Sequence, residues 1–379
     1  MREIINPDLY VNLKQFGAKE WNDCYQCGNC TAICSLTESK LLFPRKPIRF
    51  LQMGLKNELE ACLEPWMCYY CGECSEKCPR DANPGELMMI LRRYLTAAYD
   101  WIGLARRIYS SKTWEFVLIF ILSALVLLLF IFFHGPLTTE LTPEGGVQLN
   151  VFAPANIIHI GDMIMAGLLS FFLLSNIFNM YLKTIRRKNI KVPFKLYIKE
   201  LWLLIFNFAF QWKFRKCDAR FYWIIHLLLV SGYVTLFVII VGFLTWFQTD
   251  QIFEWWHPQR IIGYYATITL LLGVIYFIIG RIKKSGERSK YSHISDWTFL
   301  VMLFLTILSG ILVHIFRITG LPMLTYVMYV LHLMVLTPML MIEVPFSKWS
   351  HLAYRPFAIY FSNIIKSTIR TENSPSECT

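Results

Sequence analysis

Several things are missing or scarce in this 379-residue chain, and each closes off a class of protein. No G-x-G-x-x-G follows a strand and opens a helix, so the sequence carries no legible nucleotide- or flavin-binding turn. The opening MREIINPDLYVNLKQFG has neither the apolar core nor the small-residue cleavage site of a secretory leader, which predicts that the N-terminus stays cytoplasmic. Charge is thin, 17% against 55% hydrophobic residues, and the mean hydropathy of +0.44 lies above what a soluble globular chain shows. The expected setting is a membrane, and the 16% aromatic content suits one, because Trp and Tyr collect at its interfaces.

Basic residues are in excess, with a formal net charge of +11, and their positions explain them. Composition changes sharply at Trp114. The 20 residues Trp114–Phe133 hold one charge, Glu115, and are long enough to span a bilayer. Five further candidate spans follow, at about Ile157–Tyr181, Phe221–Phe247, Ile261–Ile279, Trp297–Phe316 and Met323–Ile342. Eleven Lys and Arg fall between Tyr181 and Arg220, and Arg281, Lys283, Lys284, Arg288 and Lys290 fill a later loop. The stretches His134–Pro154 and Gln248–Gln259 have none. Alternation of this kind marks cytoplasmic and external loops, places both termini on the cytoplasmic side, and removes nucleic acid from the expected partners. Leu201–Phe210 is too short to span and reads as an interfacial helix flanked by Lys195, Lys199 and Lys213.

Eleven cysteines are present, eight of them in two runs: Cys24-YQ-Cys27-GN-Cys30-TAI-Cys34 and Cys68-YY-Cys71-GE-Cys74-SEK-Cys78-Pro79. Each run is C-x2-C-x2-C-x3-C, the spacing with which bacterial ferredoxins hold 4Fe–4S clusters. Three thiolates of a tight loop reach one cubane, and the fourth is carried away to the other. Cys24, Cys27, Cys30 and Cys78 are therefore expected at one cluster, and Cys68, Cys71, Cys74 and Cys34 at the second. Two zinc sites are the bland alternative, although the third cysteine and the x3 offset are not zinc-ribbon spacing. Between the runs, apolar residues at helical spacing with Gly54 at a turn predict two short helices. Cys62 reads as a buried thiol, and Cys217 and Cys378 carry no motif.

Four of the eight histidines, His159, His226, His314 and His332, lie inside apolar spans, where an ionisable group needs a reason. For any one of them an interhelical hydrogen bond serves as well as a cofactor. Four together favour b-type haem held between facing helices. The segment Leu331-His332 followed by Pro345-Phe346-Ser347-Lys348 and His351 resembles the last helix of the γ-subunit family of respiratory nitrate reductase, in which two histidines of one helix serve two b haems. The 19 residues from His332 to His351 would cover about 28 Å of continuous helix. FYWIIHLLLVSGYVTLF resembles the opposing helix, with His226 in the first histidine position and Leu236 in the second. The resemblance implies an inner haem between His226 and His351, and an outer haem held by His332 with His314, or alternatively His159. Asp162 shares a helical face with His159, a pair a quinone could use or one that only bonds to itself. Glu343 reads as an acid snorkelling near the cytoplasmic end. His134, His257 and His293 read as solvated.

Taken together these features predict an all-α chain in three parts: a cytoplasmic α-helical ferredoxin-like domain with two 4Fe–4S clusters over 1–110, a six-helix transmembrane cytochrome b bundle over 111–355, and a cytoplasmic tail over 356–379. The whole resembles the fused membrane subunits of quinone-interacting membrane-bound oxidoreductase complexes, which join a heterodisulfide-reductase C-like cluster domain to an E-like cytochrome b. That resemblance implies electron transfer between menaquinone in the cytoplasmic membrane and cytoplasmic flavin or Fe–S subunits, with adenylylsulfate reductase and sulfur metabolism beyond them. Membership of a heterodisulfide reductase complex stays open. The tandem Cys-Cys-Gly segments that such disulfide chemistry uses are not in this chain. A zinc-binding membrane scaffold or sensor is the alternative from another class.

Overall fold

The computed structural model describes residues 5–18, 21–37, 42–211 and 220–372. Lys213, Cys217 and Cys378 lie outside the described residues. The described residues form helices and loops with no β-strand, only an isolated bridge between Leu141 and Val147.

The first part is a set of short helices: α1 (Leu9–Lys14), α2 (Asn29–Ile33), α3 (Arg45–Gln52), α4 (Lys56–Glu60), α5 (Glu64–Met67), α6 (Glu73–Glu76), α7 (Pro84–Tyr99) and α8 (Leu104–Ser110). Gly54 adopts φ 67° between α3 and α4, and its backbone abuts the Asn6 carbonyl so closely that any side chain would collide there. The long helix α7 is the spine. Its Leu87, Met88, Leu91 and Leu95 are all but fully buried among Leu9, Leu13, Ile48 and Leu59.

The second part begins with α9 (Lys112–Phe133), directly after α8 ends at Ser110, and a short α10 (Leu149–Phe152) lies in the loop that follows it. Then come α11 (Ala155–Tyr181), α12 (Phe194–Phe210), α13 (Arg220–Phe247), α14 (Pro258–Ile282), α15 (Glu287–Lys290), α16 (Ile294–Ile318), α17 (Pro322–Pro338), α18 (Val344–Phe346) and α19 (His351–Glu372). Six helices among the described residues are long and apolar enough to cross a membrane: α9, α11 with its continuation to Arg186, α13, α14, α16, and α17 with its continuation to Phe346. Their outward faces are apolar, with Phe120 73%, Phe132 75% and Ile164 60% exposed, as expected of surfaces that meet hydrocarbon. Small residues let the helices close on each other: a methyl on Gly273 of α14 would come within 2.7 Å of Leu229 of α13.

Two expectations are corrected here. His332 and His351 do not share one helix. Pro338 and Pro345 remove backbone donors, and the chain passes from α17 through a π turn (Met339–Glu343), α18 and a 3-10 turn (Lys348–Ser350) before α19 starts at His351. Nor are residues 356–372 a tail. They are the body of α19, whose Tyr354, Ala358 and Ile364 are fully buried in the same core as α7 and α8. The apolar stripe of α19 is what seats the first part on one end of the bundle. Phe194–Phe210 forms a longer helix than expected, packed along α19.

Candidate functional site

Both cysteine runs fold into the same loop. Gln26 and Tyr70 have φ 59° and 53°, Gly28 and Gly72 have 88° and 91°, and α2 and α6 follow. Alternating left-handed residues turn successive N–H groups inward, the concave shape that suits an anionic cluster. Asn29 ties the loops together, donating from Nδ2 to the Lys77 carbonyl (2.7 Å). Burial pushes the thiols of Cys30 and Cys34 up to about 11. Neighbouring sulfurs add to the effect: Cys24, Cys27 and Cys78 at Cys30, and Cys68 and Cys71 at Cys34. Cys74 in turn has Cys68, Cys71 and Cys34 among its neighbours, and Cys30 as well, so the two groups adjoin. Among the described residues no three His, Cys, Asp or Glu converge on a point where one metal ion could sit. Cys62 is a lone buried thiol, 2% exposed.

At the clustered end of the bundle His226 of α13 faces His351 of α19, with ring centroids 6.4 Å apart and planes at 58°. Nδ1 of His351 lies 2.5 Å from the Lys348 carbonyl, a contact made by an N–H, so Nε2 carries the lone pair. Burial holds this imidazole well below its ordinary range, and therefore neutral. A cavity of about 130 Å³ runs from these two rings to the second cysteine loop, with Tyr69 and Tyr70 in its wall. Three of the five arginines that line it, from three elements, grip consecutive residues of that loop. Arg92 of α7 donates to the Cys68 carbonyl, Arg355 of α19 lies 4.9 Å over the Tyr69 ring, and Arg288 of α15 donates to the Tyr70 carbonyl (3.0 Å). Sequence reasoning did not pick out these arginines. The only signal was that Arg355 follows His351 by one helical turn.

The remaining histidines are dispersed. His332 Nδ1 lies 2.9 Å from Ser309 Oγ, with Gly310 beside the ring. His314, expected as its partner, has both ring nitrogens engaged, Nδ1 by Arg260 (2.8 Å) and Nε2 by Tyr264 (3.1 Å). His159 Nδ1 is buried with no hydrogen-bond partner, so it does not bond Asp162, itself 8% exposed near Tyr329. Among the described residues no ring contact or hydrogen bond joins His332 to His314 or His159. His293 is not simply solvated: it caps α16, accepting from Ser295 N (3.3 Å). His257 stacks on Phe253 at 3.8 Å, and His134 is exposed. Glu343 does not snorkel. It is 0% exposed, against Glu115, also 0%.

A dicluster iron–sulfur domain seated on a helical membrane bundle is the class these features define, and residues 15–83 match the 4Fe-4S dicluster domain family. The cluster part is 38% identical over 88 residues to a heterodisulfide reductase C-like protein of Archaeoglobus profundus, covering 23% of this chain and 47% of the relative. It is 31% identical over 88 residues to the C component of the H(2):CoB-CoM heterodisulfide,ferredoxin reductase of Methanothermobacter thermautotrophicus, covering 23% and 48%. The membrane part is 28% identical over 176 residues to the E component of the dihydromethanophenazine:CoB–CoM heterodisulfide reductase of Methanosarcina thermophila, covering 41% and 64%. The chain spans about half the length of the C-like relatives it matches. No solved structure matches it. The chain thus joins a 4Fe–4S dicluster part similar to heterodisulfide reductase C components to a multi-pass membrane part similar to an E component.

Proposed function

We propose that the chain carries electrons between a lipid-soluble quinone-class carrier and soluble redox subunits, by way of a b haem at His226 and His351 and then two 4Fe–4S clusters. The observation that supports this most is the single cavity lined both by His226 and His351 and by Tyr69 and Tyr70 of the second cysteine loop. The histidine pair fits the group. The two rings face one another with centroids 6.4 Å apart, and both would ligate a metal centre held between them. His351 is oriented for ligation by the Lys348 carbonyl, and Arg92, Arg288 and Arg355 supply positive charge suited to propionates. The haem, when bound, supplies a one-electron relay. Cys68, Cys71, Cys74 and Cys34 would hold the cluster nearer to it, and Cys24, Cys27, Cys30 and Cys78 the one further out, with the electrostatic neighbours of Cys30 and Cys34 supporting that crossed division. His332 is the candidate ligand of a second haem, with His159, whose Nδ1 is buried and unsatisfied, or His314, whose two ring nitrogens meet Arg260 and Tyr264, as candidate partner. Asp162 beside His159 is a candidate proton acceptor for the carrier. This reading puts both termini and the cluster part in the cytoplasm, as the basic loops favour.

For the partners, the sequence resemblance to the membrane chains of quinone-interacting oxidoreductases suggests menaquinone and a flavoprotein or adenylylsulfate reductase. A second reading is favoured by the names of the relatives: membership of a heterodisulfide reductase complex, with the disulfide chemistry carried elsewhere in the assembly. A pyridine-haemochrome and iron assay on the detergent-purified chain tests what both readings share. About eight non-haem irons, b haem, and haem reduction on adding a menaquinol analogue are expected. Zinc in place of iron with no haem band would refute both.

A further inference from the structure

We infer that Glu115 and Glu343 form a proton-binding pair, which takes up one proton from water when the His226/His351 haem site is reduced and gives it back on oxidation. This rests on the haem reading above. Glu115 stands in the first turn of α9 and Glu343 ends the π turn after α17, so two separate elements bring the carboxyls together. Both residues are 0% exposed, none of their four carboxylate oxygens meets a donor in good hydrogen-bond geometry, and their polar neighbours are each other, Thr298 and Ser347. No salt bridge reaches either one among the described residues. Such burial of two bare acids is costly unless a proton is held between them, because neighbouring carboxyls in a dry site share at most one negative charge.

The surroundings reinforce this. From α16 come Thr298 and Asp296, from α8 Tyr109 beside Glu343, and after α18 Ser347, while α11 brings Asn176, which donates to the Pro345 carbonyl (3.5 Å). Asp296 differs from the pair in having two cations, Lys348 at 2.5 Å and Arg281 at 3.7 Å. It is therefore ionised, and its negative charge bears on the pair. Asp296 and Lys348 also line the cavity that contains His351, and the Lys348 carbonyl accepts the proton-bearing Nδ1 of His351. A short charged chain thus runs from the haem site to the carboxyls. Adding an electron at His226/His351 raises the cost of the pair's remaining negative charge, and a proton taken up from solvent neutralises it. The electron comes from the quinol or the reduced second cluster. No covalent bond other than O–H is made, and oxidation returns both electron and proton.

The test is a redox titration of the haem in the full-length protein at a series of pH values, with both clusters followed by EPR as internal references, alongside redox-difference infrared spectra. In the unmodified protein the haem reduction equilibrium should change by up to tenfold per pH unit, equivalent to 59 mV for one electron, and a protonated-carboxyl band should grow on reduction. Glu115→Gln and Glu343→Gln should each flatten that slope and remove the band while the haem stays bound. A haem whose potential ignores pH, or a slope equal in all three proteins, overturns the inference alone. The infrared measurement on the unmodified protein decides it even where a variant does not accumulate. A preparation with clusters but no haem overturns the haem reading as well.

Discussion

Gly28 and Gly72 occupy equivalent places in the two cysteine loops, with φ 88° and 91°, and comparing an alanine at each isolates what the second loop does. The conformational penalty is the same at both, about 1–2 kcal/mol for a side chain in the left-handed region. Their neighbours differ. A methyl on Gly28 meets only the Arg45 guanidinium tip, at 3.2 Å, which can swing away. A methyl on Gly72 would overlap Cβ and Cγ of Glu287, the first residue of α15, where carbon atoms normally keep about 3.5–4.0 Å apart. Arg288 comes next in the chain and donates to the Tyr70 carbonyl at 3.0 Å, so relieving the overlap pulls that bond apart. Losing a hydrogen bond to a charged group adds about 1.5–3 kcal/mol. Gly28→Ala should therefore cost about 1–2 kcal/mol and Gly72→Ala roughly 3–5 kcal/mol. Thermal melts of the detergent-solubilised protein read the stability difference. EPR of each reduced cluster and stopped-flow haem reduction read where it falls, with the larger loss expected at the second cluster and in its exchange with the haem. Equal effects at the two glycines, or a larger one at Gly28, would refute the argument that the second loop docks against the membrane part.

His226→Ala or His351→Ala should remove one b haem and leave both clusters, as measured by haemochrome and iron assays. Retention of all haem in either would dismantle the assignment. Cys34→Ser should damage the cluster of the second run, and Cys78→Ser that of the first, read by EPR; damage confined to the run in which each residue lies would refute crossed ligation. Burial holds the Cys30 and Cys34 thiols up to about 11, so iron must displace protons from them. Chemical reconstitution should therefore improve steadily as pH rises through neutrality and fail on acidification, which iron uptake at stepped pH would check. Leu91→Ala, at a position 0% exposed on α7, should cost about 2–5 kcal/mol and lower the melting temperature without changing the haem spectrum.

Local patterns were enough to determine much of this protein. Cysteine spacing identified two cluster loops because ligand geometry constrains neighbours in sequence, and six apolar runs identified six spans because a bilayer requires a fixed length of helix. Gly54 announced its turn through the one property that only glycine has. Tertiary structure decided what depends on elements far apart in the chain. Helical spacing could not reveal that Pro338 and Pro345 break the path from His332 to His351, because each proline acts on a carbonyl a turn away and the outcome depends on how the freed groups are satisfied. Nor could it reveal that α19, polar enough to read as a tail, buries Tyr354, Ala358 and Ile364 against the cluster part. That Arg260 and Tyr264, from another helix, meet both nitrogens of His314 was likewise not legible in its own span. Arg92, Arg288 and Arg355 are separated by most of the chain, as are Glu115 and Glu343. Their convergence is set by packing between helices, which leaves no trace in the periodicity of any one of them.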